Sequence, residues 1–235
     1  RVRLDHANVG SGIRYTLDGK EPTEASPLYT EPLVVRGTVQ VRAAAQASSG
    51  MGPIRSETFI QLTNAPGHAQ TFTSTLPIVV LSTWKTGIVS STRETLCHFS
   101  LYEPVAGLAR IGGLPSTTSR ATIRIAHEIE GDFAELAGQG SLFLQLRDES
   151  GSPSDRSMLG FPPASTWLLV SPSGFDPTLI HTPLSMELGR QMGVPTLQTR
   201  QVEVYFNKGG PLTTNQWFGV YRMMELPRVE SSAIG

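Results

Sequence analysis

The sequence is poor in the features that most quickly classify a protein. It has one cysteine, Cys97, among 235 residues, so no internal disulfide can form. That does not decide the compartment, because many proteins of oxidising compartments carry no disulfide. Charged residues make up 17% and the formal net charge is -1. With no run of Lys or Arg, the chain lacks the electrostatic footprint of a protein that holds nucleic acid or an anionic membrane. The longest apolar run, residues 76–81, is far too short to cross a bilayer as a helix. No Gly-x-Ser-x-Gly elbow, no phosphate loop ending in Gly-Lys-Ser/Thr and no Asn-x-Ser/Thr sequon occurs. The chain begins at Arg1 rather than Met and shows no leader sequence, so it is expected to be a segment of a longer protein.

What is present suits a folded chain. Hydrophobic residues reach 39%, enough for one large core or two modest ones. The 23 Gly and 17 Pro predict many turns and few long helices. In residues 2–61 short extended segments alternate with turns. Ile13-Arg14-Tyr15-Thr16-Leu17 has the strand period, and Asp18-Gly19 then supplies hairpin-turn chemistry. Val39, Val41 and Ala43 alternate with Gln40, Arg42 and Ala44, and residues 56–60 read as a closing strand. Such spacing predicts a β-sandwich over residues 1–61. Residues 62–75 are polar and aperiodic and read as a linker between domains.

From residue 76 to 235 the character changes, and an α+β domain is expected. Pro77-Ile78-Val79-Val80-Leu81 predicts a strand buried on both faces. Residues 121–125, 142–146, 167–170, 202–206 and 218–223 read as further strands. One helix is predicted from Thr182 as N-cap with Pro183 at N1. Leu184, Leu188 and Met192 recur along it, and Gly193 is its left-handed cap. Residues 207–216 make a long polar loop.

Two family resemblances lie on these residues. Tyr15-Thr16-Leu17-Asp18-Gly19-Lys20-Glu21-Pro22-Thr23, with Ser26-Pro27-Leu28-Tyr29-Thr30 and Val39-Gln40-Val41-Arg42-Ala43, resembles the C-terminal domain of the chitobiase and β-hexosaminidase family. There the domain is an immunoglobulin-like accessory module, so the likeness implies a spacer or binding role and no glycosidase activity. Residues 76–226 resemble the CotH family of atypical protein kinases. The likeness is carried by Leu146-Arg147-Asp148-Glu149-Ser150-Gly151, Met158-Leu159-Gly160-Phe161-Pro162 and Glu187-Leu188-Gly189-Arg190-Gln191-Met192-Gly193. Val202-Glu203-Val204-Tyr205-Phe206-Asn207 and Gly219-Val220-Tyr221-Arg222-Met223-Met224-Glu225 complete it. The two resemblances in tandem imply a β-sandwich followed by the N-terminal part of a CotH-like kinase fold. They also imply an extracytoplasmic setting, the periplasm or surface of a bacterium.

The departures from the family pattern bear on function. No Lys or Arg lies between Arg124 and Arg147, where the family usually places basic groups for nucleotide phosphates, and phosphoryl transfer depends on such cations. Asp176-Pro177 and His181-Thr182 stand where the family usually has Asp-Lys and Arg-Asn. The chain also ends at Gly235, before the family's C-terminal lobe. A non-catalytic structural or interaction protein is therefore expected, with no catalytic residue, metal or cofactor. A CotH-type kinase whose catalytic lobe lies outside this stretch, and a carbohydrate-binding accessory module, stay open. Asp176 and Glu225 are the nucleotide-site candidates if the protein is active; otherwise they cap a helix and close a strand. His127, Glu128, Glu130 and Asp132 read as a solvated acidic turn rather than a cation site. Cys97 and His98, adjacent on a strand, point to opposite faces and make no reactive pair. The expected partners are other protein subunits, with no nucleic acid and a membrane reached only through a partner or anchor. The proposed interface is Asn207, Pro211, Trp217 and Phe218, since a long loop ending in two aromatics is a plausible contact anchor.

Overall fold

The computed structural model describes residues 1–6, 12–62, 67, 69–84, 91–126, 140–171 and 176–226. The first region is one antiparallel sheet of β1 (Gly12–Thr16), β2 (Val39–Ala47), β3 (Gly50–Met51) and β4 (Arg55–Phe59), with β2 pairing the other three. Isolated bridges join Val2 to Leu33 and Arg14 to Leu28. The expected sandwich is thus one four-stranded sheet with bridged edges, because the 20–36 stretch is built of turns rather than strands. Asp18-Gly19 makes its turn as expected, with Gly19 at φ +76° and Asp18 Oδ1 accepting from the Lys20 N–H.

The remaining strands are β5 (Thr73–Ser74), β6 (Ile78–Ser82), β7 (Thr95–Tyr102), β8 (Ala109–Arg110) and β9 (Thr117–Ile125). After them come β10 (Leu142–Arg147), β11 (Thr166–Val170), β12 (Thr199–Asn207) and β13 (Trp217–Glu225). Seven of these close a barrel in the order β10-β11-β13-β12-β6-β7-β9. Every neighbouring pair is antiparallel except β6 with β12. This overturns the α+β expectation. Of the described residues 46% are strand and 9% helical, and α1 (His181–Gln191) is the single α-helix among them. The reason is β7, of which the sequence placed only Cys97 and His98 on a strand. It joins β6 to β9 and so turns an open sheet into a closed one.

Alternation builds the barrel core. Cys97, Phe99 and Leu101 of β7 point inward, as do Ala121 and Ile123 of β9 and Leu142, Leu144 and Leu146 of β10. Val79 and Leu81 of β6, with Trp167 and Leu169, Val202 and Val204, Tyr221 and Met223, line the same core. Burial pushes the Cys97 thiol up, so it stays protonated and inert. A second apolar cluster covers the outside of β6 and β12: Ile78, Val80 and Tyr205 lie under Ala69, Ile111 and Leu212, with Phe72 edge-on to Tyr205 at 5.3 Å. That is why β6 is buried on both faces, as its unbroken apolar run predicted. The described part of 62–75 takes part in this cover: Ala69–Thr71 forms a 3-10 turn and β5 pairs β8.

Candidate functional site

Asp176 sits between β11 and α1, and its carboxylate organises the helix start. Oδ1 accepts the backbone N–H groups of Ile180 at 3.0 Å and His181 at 3.3 Å, and Oδ2 accepts that of Thr182 at 3.4 Å. These are donors that a helix N-terminus leaves without intrahelical partners. Oδ2 also receives Nη1 of Arg222, from β13, at 3.1 Å. Burial acts to raise the Asp176 pKa, but the N–H groups of His181 and Thr182 and the Arg222 guanidinium outweigh it and hold it below the usual value.

The helix therefore starts earlier than the sequence suggested. Thr182 and Pro183 lie inside the first turn, and Ile180 is the cap, with no side-chain bond of its own. The C-terminus follows expectation. Gly193 has φ +78°, with Gly193 N–H bonded to Arg190 O and Val194 N–H to Gly189 O. No residue of α1 is buried. Ile180, Leu184, Leu188 and Met192, spaced to share one face, are all exposed, Met192 to 80%.

Glu225 does not join Asp176. It ends β13 opposite Trp167, an inward residue, so by alternation it lies on the other face of β13 from Arg222. No partner for its side chain occurs among the described residues. Their described set also contains no group of three or more His, Cys, Asp or Glu placed to hold a metal. The cluster His127, Glu128, Glu130 and Asp132 lies outside the described residues.

The loop after β12 is docked on the chain's own first sheet. Asn207 is fully buried; its Nδ2 donates to Thr38 Oγ1, and its Oδ1 accepts from Gly209 N and Gln216 Nε2. Thr38 Oγ1 donates to Gly210 O at 2.7 Å, and Pro211 bridges Gln61. Phe218 turns inward against Phe206. Trp217 points outward, 47% exposed, with its Nε1 held by Glu203 Oε2 at 2.7 Å. A register shift at Val204/Tyr205 separates the two aromatics.

The same sheet meets the barrel along a second line that sequence reasoning missed. Gln40, Arg42, Ser56 and Thr58 face His98, Ser100, Arg120 and the 147–149 turn. Arg42 is wholly buried, donating to Ser56 Oγ, Gly19 O and Glu149 O. Glu149 Oε2 accepts from Ser56 Oγ at 2.6 Å. Trp84, at the end of the barrel wall, lies against Gly19 so closely that a Cβ there would sit 2.5 Å from its ring. No signal marked these residues in advance, because Gln40 and Arg42 occupy the polar half of an alternation that normally faces water.

The fold and its contacts define an accessory β-sheet clamped by polar groups to a closed β-barrel that carries one tethered helix. Family comparison then gives a match within each part. The model of the chitobiase/beta-hexosaminidase C-terminal domain matches residues 1–56, and that of the CotH kinase protein matches residues 128–232, in the order the resemblances implied. Asp176, Asn207, Pro211, Trp217, Phe218 and Glu225 all fall within the CotH match. No curated protein and no solved structure gives a significant match. The matches are consistent with an accessory or CotH-like protein.

Proposed function

We propose that this chain is a non-catalytic, CotH-like contact module of a larger bacterial envelope or surface assembly. The observation that carries this reading is the occupation of Asp176. Both carboxylate oxygens already take backbone N–H groups, and one takes Arg222 as well. A carboxylate that must hold Mg²⁺ and nucleotide phosphates needs free oxygens and neighbouring cations. Glu225, the second acid, lies on the other face of its strand. The exposed apolar side chains of α1 and the outward Trp217 favour the contact half of the reading.

A CotH-type kinase completed by residues outside this stretch is the second reading, favoured by the family match over 128–232. Calorimetric titration with ATP and Mg²⁺ separates the two. No saturable heat is expected up to millimolar nucleotide. Micromolar binding that Glu225→Ala abolishes, with the fold intact, would establish the kinase reading instead.

A further inference from the structure

The polar seam between the first sheet and the barrel opens into a cleft of about 500 Å³. One wall is the first sheet, with Gln40 and Thr58; the other is the outer face of β7 and β9, with His98, Ser100, Thr118 and Arg120. His98 and Arg120 are register partners, so their side chains project together from the barrel. The two walls satisfy each other only in part: Arg42 and Ser56 reach Glu149, but other groups do not find a partner. Gln40 Oε1, His98 Nδ1 and Arg120 Nε are buried without a hydrogen-bond partner. Buried polar groups left unmet work against the fold. Three of them in one cleft mark a place that something polar fills.

The chemistry of the filler follows from the walls. The unmet atoms include an acceptor, Gln40 Oε1, and a donor, Arg120 Nε–H. Burial pushes the His98 imidazole down to about 4, so at neutral pH it is uncharged and Nδ1 can give or take according to tautomer. The charged side chains that line the cleft are equal in number for each sign, Glu57, Asp148 and Glu149 against Arg120, Arg147 and Arg156. The cleft has no call for a charged ligand. Hydroxyl groups both donate and accept, and Ile60, Leu62 and Leu114 provide an apolar end for C–H surface. A volume near 500 Å³ lies within the range of small-molecule sites. We propose that this seam binds a neutral, hydroxyl-rich ligand of mono- or disaccharide size, held between Gln40 of the first sheet and His98 and Arg120 of the barrel. The inference stands apart from the question of catalysis, and uses neither Asp176 nor Glu225.

The test is saturation-transfer NMR on the whole chain with D-glucose, D-galactose and N-acetyl-D-glucosamine, with D-glucuronate as the anionic arm. The His98 ring signals are assigned through His98→Asn. At least one neutral sugar is expected to bind saturably and to shift the His98 signals. Gln40→Leu and Arg120→Met are each expected to weaken that binding at least tenfold. The wild-type His98 shift reports on the site even if a variant fails to fold. Three outcomes overturn the proposal: no neutral sugar binds, only glucuronate binds, or a sugar binds without moving His98. The last two would indicate an ion site and a site elsewhere, and the first a seam filled by water alone.

Discussion

The inside of the barrel is held by a different force from the first sheet and the helix fastened to its outside. Inside, Phe99, Leu144, Trp167 and Val204 are packed with no exposed surface, and burial of apolar area does the work. Outside, the first sheet is fastened by Arg42, Glu149, Thr38 and Asn207, and α1 by Asp176 and Arg222. Hydrogen bonds of this kind contribute about 1 kcal/mol each, because water competes for the same groups. The barrel is therefore built for permanence, and its attachments for a defined but yielding position.

The contrast is sharpest for Phe99→Ala, which should remove about 3–5 kcal/mol from unfolding in urea. A loss below about 1 kcal/mol would mean that the barrel core is not the stabilising centre. Arg42→Met comes next, with an expected loss of about 1–3 kcal/mol as its three acceptors go unmet. Its distinctive readout is limited proteolysis: cleavage within residues 62–75 should rise and leave two stable fragments. Unchanged cleavage would show that the first sheet does not depend on the polar seam, and a single protected core would argue against two separate domains.

Acid should act more narrowly. Because the native Asp176 pKa is depressed, its contribution is full above the ordinary aspartate value of about 3.9 and fades as pH falls through the lower native value. Amide signals of α1 should then broaden or shift below about pH 4 while those of β6 and β12 hold. Simultaneous loss would couple α1 to the barrel more tightly than its contacts suggest. The smallest effect belongs to Leu188→Ser on the exposed face of α1, expected within about 0.5 kcal/mol. A larger loss would mean that this face is covered in solution.

The elements were legible where one physical rule governed them. Apolar runs and alternation gave β6, β10, β11, β12 and β13 close to their observed limits, and the Gly193 cap ended α1 where it was placed. Two things escaped. For Thr95–Tyr102 only Cys97 and His98 read as strand, although Cys97, Phe99 and Leu101 alternate with His98, Ser100 and Tyr102; without the full strand, barrel closure could not be inferred. The seam escaped for a deeper reason. Gln40 and Arg42 follow the pattern of a solvent-facing edge, and pattern alone cannot say that another polar wall will cover it. Asp176 reads from sequence either as a nucleotide-site acid or as a helix cap; three of the donors it binds belong to backbone, which carries no sequence signature.

The parallel pairing of β6 with β12 has a consequence for how the chain reaches its shape. Ile78 lies opposite Glu203, about half the chain away. When β6 and β7 leave the ribosome they can form a hairpin at once, yet the other edge of β6 has no partner until β12 has been made. Loop closure across that distance makes the last stave slow to arrive. For that interval Ile78, Val79, Val80 and Leu81 form an open, apolar, unpaired edge, the kind of surface that recruits a neighbouring nascent chain. Yield on expression should thus depend on the rate of synthesis and on chaperones more than on the stability of the finished barrel.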